Sequence, residues 1–206
     1  MRVENVLILA LGSLSESTSP APGYQLAAAL AIIDVLKGSG DGGTAARLQI
    51  LSYDPVYTRL DARILAAHGV VTVPASEIPT GEEWYRRAVV YMPHASVWLN
   101  HRYFVRQPGL WIGNSFAVYE AAVAGLRVGE EGGGSDVAAG ELDVRNMLEE
   151  AGKVMREYER VEWPEEGWGG GAVFNNLVVY ARRGGRSESA EEEGGLVEAV
   201  GGLKLE

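Results

Sequence analysis

The chain has 206 residues, 47% hydrophobic and 22% charged, a composition that supports one folded domain with a sizeable core. Its formal net charge of -10 repels phosphate backbones, so general nucleic-acid binding is not expected. The absence of cysteine excludes disulfides, thiolate chemistry and cysteine-based zinc sites, and no apolar run reaches the roughly 18 residues of a membrane span. The first residues lack the basic, apolar and cleavage regions of a secretory signal, so the expectation is an intracellular protein with no membrane partner.

Strand and helix patterns then alternate. "RVENVLILALG" (2–12) is an apolar run ending in Gly-Ser, the pattern of a buried strand entering a loop. "PGYQLAAALAIIDVLKGSG" (22–40) is Ala- and Leu-rich and stops at Lys37-Gly38, as a helix does. A second strand, "RLQILSYDP" (47–55), closes at Pro55. "TRLDARILAAHG" (58–69) is an amphipathic helix with Thr58 as N-cap and Gly69 as stop. "VVTVP" (70–74) is a third strand, "EEWYRR" a helical turn, and "AVVYMP" (88–93) a fourth strand. The segment 95–109 carries a helix that must end before Pro108. "LWIGN" (110–114) is a fifth strand, followed by a helix over 115–125.

"VGEEGGGSDVAAG" (128–140) reads as a polar surface loop without the GxxxxGK[ST] pattern of a phosphate cradle. A long helix over 141–163 runs into a sixth strand. "AVFNNLVVYARR" (172–183) is a last strand, paired with its predecessor. Residues 184–206 hold six glutamates against Arg186 and Lys204 and are Gly-rich, the composition of a disordered acidic tail. Strands separated by helices imply right-handed crossovers. The expected fold is therefore a three-layer, Rossmann-like α/β domain over residues 1–183, with a mostly parallel sheet of six to seven strands and a C-terminal antiparallel strand.

Open α/β sheets bind ligands outside the carboxyl ends of their strands. Small or polar groups stand at four of those ends: Gly12, Ser13 and Ser15; Asp54; Pro93 and His94; and Gly113, Asn114 and Ser115. Each has a plain structural role open to it. Ser13 and Ser115 can cap helices, and Asp54 can form a turn before Pro55. Asp54 can equally bind a ribose hydroxyl, as the acid at the second strand does in dinucleotide sites. Histidine is the residue type whose charge changes near neutral pH, so His94 can serve as a working group or as a strand terminator. His68, beside Gly69, is structural in character, and His94 with His101 lacks the further ligands of a metal site. The five tryptophans suit packing.

Two enzyme classes can be weighed. "GNSFA" (113–117) mimics a nucleophile elbow, but all three histidines precede Ser115, the reverse of hydrolase chain order. Six parallel strands with a final antiparallel one suit an S-adenosylmethionine-dependent methyltransferase. Against that, "LALGSLSES" lacks the multiple glycines that admit a cofactor.

Taken together, "LGSLS", "QLAAALAIIDVL", "YDPVYTRLDARIL", "VVYMPHA", "LWIGNSFAVY" and "VFNNLVVY" resemble, in order and spacing, the sensitivity-to-red-light-reduced (SRR-like) family over about Val6 to Tyr180. The resemblance implies a Rossmann-like domain of eukaryotic cytoplasm or nucleus, with signalling roles that include light and circadian control and no established catalysis. Its shared positions fall on Gly12, Ser13, Gln25, Asp54, Pro55, Pro93, His94, Gly113, Asn114, Ser115 and Asn175. Ala95 replaces a cysteine common after the Pro-His pair. "RYFVRQ" stands where an Asn-Trp pair is expected. Relatives can carry an N-terminal extension, so an isolated domain is the expectation here. Two functions follow as alternatives: a regulatory protein whose strand-edge pocket binds a small ligand or a partner segment, or a methyltransferase-like enzyme using S-adenosylmethionine or a nucleotide at the same edge.

Overall fold

A computed structural model describes residues 2–38, 48–126, 135–163, 174 and 176–183. Seven strands form one sheet: β1 (Asn5–Leu9), β2 (Gln49–Tyr53), β3 (Val71–Thr72), β4 (Ala88–Met92), β5 (Leu110–Asn114), β6 (Tyr158–Glu162) and β7 (Leu177–Arg182), in the order β3-β2-β1-β4-β5-β7-β6. Pairing is parallel from β3 through β5. β7 runs antiparallel to both β5 and β6, so six strands share one direction and β7 alone is reversed. The expected three-layer α/β fold is the observed one.

Side-chain alternation assigns the two faces. Val6 and Ile8 of β1, Val89 and Tyr91 of β4, and Leu110 and Ile112 of β5 pack under α1 (Ala21–Gly38) and α2 (Arg59–Ala67). Leu7, Leu9, Val90, Met92 and Trp111 face the other way. That second core takes Tyr85 of α3 (Glu82–Arg86), Tyr103 and Phe104 of α4 (Val97–Phe104), Phe116 of α5 (Phe116–Leu126), and Leu148 and Ala151 of α6 (Ser135–Met155). All five residues of β1 and of β4 are buried, as strands covered on both faces must be.

Several boundaries differ from the sequence expectation. Residues 135–140, read as loop, form the start of α6. The Ala-rich turn before Gly140 is helix-forming, and the roughly 1 kcal/mol that an internal glycine costs is too little to end a helix packed against α4 and α5. The last strand starts at Leu177 rather than at 172, because Asn176 is left-handed (φ 65) and breaks extended geometry just before it. The third strand is only Val71–Thr72, cut short by the Pro74 turn. The expected loops over 128–134 and 164–171, the shared position Asn175 and the acidic tail 184–206 lie outside the described residues.

Candidate functional site

Parallel register brings the strand ends to one edge. Leu9 is level with Tyr53, Ile8 with Tyr91, and Met92 with Gly113. The loops that leave these ends therefore start side by side, about 4.8 Å apart per strand.

The chain leaves β1 through two left-handed residues, Ala10 (φ 55) and Gly12 (φ 80). A β-carbon is disfavoured in that region, and glycine is the residue that enters it freely. The Gly12 N–H donates to Asp54 Oδ2 at 2.9 Å, while Asp54 Oδ1 accepts the Val56 N–H at 3.0 Å. Asp54 thus closes its own turn and ties the β1 loop to the end of β2. It is half-buried, and each oxygen keeps a second acceptor direction.

Asp61 is the more constrained acid. Its Oδ1 accepts the N–H groups of Leu14 (2.9 Å) and Ser15 (2.8 Å). Its Oδ2 accepts the Ser13 hydroxyl (2.9 Å) and the Thr58 N–H (2.8 Å). Both lone pairs of both oxygens are used, and the side chain is fully buried. Burial works to raise its pKa, but the donors from Thr58, Ser13 and Ser15 outweigh it and hold the carboxyl well below the usual carboxylate range. Ser15 also pairs its hydroxyl with Thr58 Oγ1 at 3.0 Å. Sequence reading placed Asp61 only on an amphipathic helix. The signal that marks it is the spacing Thr58-x-x-Asp61, a capping box that the structure forms in full.

Pro93 and His94 turn the chain between β4 and α4. Proline presets its own φ, and His94 follows in the left-handed region (φ 58), which histidine enters more readily than most residues. Its N–H donates to Asn114 Oδ1 at the end of β5, at 3.2 Å, and its side chain is exposed. The carbonyl of Ala95 then accepts three donors: Tyr119 Oη at 2.7 Å, Asn100 Nδ2 at 2.9 Å and Asn114 Nδ2 at 3.4 Å. Asn114 Nδ2 also reaches Tyr119 Oη at 3.1 Å, and Asn100 Nδ2 donates to the same oxygen. Asn100 and Tyr119 escaped sequence reading. Each belongs to an ordinary helical pattern, and only the tertiary fold brings both to Ala95.

The remaining candidates lie deeper. Ser115 is buried; its N–H donates to the Asn176 carbonyl at 2.7 Å and its hydroxyl accepts from the Ala117 N–H, which starts α5. Gln25 is buried in α1, where its carbonyl accepts the Tyr91 hydroxyl at 3.0 Å. Gly113 lies beneath the Trp111 indole: a β-carbon there would come within 2.8 Å of Nε1. The edge thus holds two bonded groups, one around Gly12, Ser13, Ser15 and Asp54, the other around Pro93, His94, Gly113 and Asn114. Gln25 and Ser115 belong to neither group: both are buried and bond to Tyr91 and to Asn176 and Ala117. His68 caps α2, and His101 pairs with Glu150 across α4 and α6 at 2.9 Å. Among the described residues no group of His, Cys, Asp or Glu has the makings of a metal site, and no helix is long and apolar enough to cross a membrane.

Such a sheet, with polar turns gathered at its carboxyl edge, defines a Rossmann-type α/β protein. Within that class the chain belongs to the SRR1 domain family, whose model matches residues 1–181. Neither a curated protein nor a solved structure matches it significantly.

Proposed function

We propose that this SRR1-domain protein is an intracellular regulatory protein, cytoplasmic or nuclear, of the light- and clock-signalling type, and that its carboxyl strand edge holds a small ligand or a partner segment without turning it over. The observation that carries the proposal is the way the edge is built. Polar groups from four strand ends are set in place by bonds to one another before any ligand arrives, Gly12 to Asp54 and His94 to Asn114. Left-handed Ala10 and His94 add local backbone strain of about 1 kcal/mol each, which is stored more often at binding sites than elsewhere. Asp61, the acid with every lone pair used by the chain itself, is fitted to hold the rim rather than to move protons.

A methyltransferase-like activity is the second reading. It is favoured by one reversed strand among seven and by the half-buried Asp54, whose remaining acceptor directions suit a ribose diol. One experiment separates the two. Purified protein is given S-adenosylmethionine with a cell extract as acceptor, and S-adenosylhomocysteine is quantified. Absence of S-adenosylhomocysteine above background, together with failure of a His94→Ala protein to restore signalling output in cells lacking the parent, is the expected result. Catalytic formation of S-adenosylhomocysteine that is lost in Asp54→Ala would replace the regulatory proposal with the enzymatic one.

A further inference from the structure

The amino edge of the sheet, opposite the polar rim, collects arginines. β7 is reversed, so it ends where the parallel strands begin: Ala181 pairs with Leu110, the first residue of β5, and Arg182 with Tyr158, the first residue of β6. The segments that lead into β4, β5 and β6 reach the same edge and carry Arg86 and Arg87, Arg102 and Arg106, and Arg156. Bonds join these segments. Arg182 donates to Gln107 Oε1 at 2.9 Å and to Glu157 Oε2 at 3.0 Å, and the Arg183 N–H donates to the Glu157 carbonyl at 2.8 Å. Arg102 and Arg106 both lie against the Tyr103 ring, 5.9 and 5.8 Å from its centroid.

Part of this charge is answered locally. Arg87 pairs with Glu4 and Glu83, Arg86 with Glu82, and Arg182 with Glu157. Arg102, Arg106, Arg156 and Arg183 have no ion-pair partner among the described residues. Arg106 is part-exposed and the other three are exposed. Four unanswered guanidinium groups on one edge of a chain of net charge -10 make a local positive field. The charge that can answer it is attached to it. The chain leaves this edge at Arg183, and residues 184–206 hold six glutamates against Arg186 and Lys204. Four of them, Glu188, Glu191, Glu192 and Glu193, fall five to ten residues past Arg183. Five extended residues reach up to about 18 Å. From β4 to β6 the edge is three strand spacings of about 4.8 Å each, so that reach covers it.

We propose that the amino edge is the docking surface of the chain's own acidic tail, with Glu188 to Glu193 pairing with Arg102, Arg106, Arg156 and Arg183. Exposed ion pairs are individually weak, but the tether makes their formation intramolecular, at an effective concentration in the millimolar range, so several can act together. A contact of this kind is screened by salt. It lies on the edge opposite Gly12, Asp54 and His94 and leaves that rim open, so it stands or falls apart from the proposed function.

Spin labelling of the full chain tests this. The chain has no cysteine, so Ser189→Cys gives a single attachment point for a nitroxide, between Glu188 and Glu191. Loss of amide signal near the label is read in 15N-labelled protein. Expected is a loss at Arg102, Arg106 and Arg156 that disappears when Glu188, Glu191, Glu192 and Glu193 are changed to glutamine. It should also disappear at about 1 M salt, where the screening length is about 3 Å. Arg102→Gln combined with Arg156→Gln should reduce it; the tail variant leaves the folded domain untouched should that pair disturb it. Three results would each overturn the proposal. One is a loss confined to residues 177–183, the stretch nearest the label along the chain. Another is a loss that glutamine and salt leave unchanged, meaning contact without charge pairing. The last is a loss at the same arginines when 15N protein without a label is mixed with spin-labelled protein of natural isotope content, which would assign the edge to the tail of a second copy.

Discussion

The main-chain N–H of His94 is held by the side-chain oxygen of Asn114, 3.2 Å away on the neighbouring strand end. This bond joins the Pro-His turn to the Gly-Asn-Ser turn and makes one rim of two loops. Asn114→Ala removes the acceptor and also a donor to Ala95 and Tyr119. A loss of about 2 kcal/mol is expected, read by chemical denaturation. His94→Gly relieves left-handed strain worth about 1 kcal/mol at φ 58, so the measured change in stability, set against that gain, reads what the imidazole itself contributes. A clear destabilisation by His94→Gly would show that the imidazole holds the fold.

Asp61 organises the other half of the rim. Asp61→Ala strands four donors, three of them in the β1 loop, and should cost on the order of 3 kcal/mol or more. Asp61→Asn should keep the packing but lose the charge, for a smaller cost.

The same carboxylate sets a pH dependence. Its folded pKa lies below the ordinary value of about 3.9, so the folded state favours the ionised form. The resulting stability is fully present above about pH 4 and is lost as pH falls towards the folded pKa. Melting curves of parent and Asp61→Asn should therefore differ most at neutral pH and converge under acid conditions. A gap that widens as pH falls would reverse the assignment.

Gly113 is required for its size. In Gly113→Ala the new methyl would stand 2.8–2.9 Å from three atoms of the Trp111 indole. The ring is fully buried and wedged against Phe104, so it cannot swing aside without moving the core. A loss of about 1–3 kcal/mol is expected, together with a changed near-ultraviolet signal from tryptophan.

Much of this was legible in the sequence. Continuous apolar runs such as "NVLIL" and "AVVYM" can only be strands buried on both faces, and the helices between them dictate parallel pairing. From there, polar residues at strand ends fall on one edge by topology alone, which is why Gly12, Asp54, His94 and Asn114 could be named together. Less accessible was anything that depends on which backbone amide a side chain meets. Asp61 serves Leu14 and Ser15, 47 and 46 positions earlier in the chain, and such a match leaves no local pattern beyond its capping box. Tyr119 and Asn100 meet only because α4 and α5 flank β5. The insertion of β7 between β5 and β6 was also hidden, since strand order depends on packing across the whole sheet.

Amide hydrogen exchange at Gly12 and His94 tests the rim most directly. These two N–H groups belong to loops, yet each is bonded to a side chain delivered by a different strand. Both should exchange slowly in the parent; Asp54→Ala should release Gly12 alone and Asn114→Ala His94 alone. Exchange at both amides in the parent as fast as in an unstructured loop would contradict the pre-built edge on which the proposed function stands.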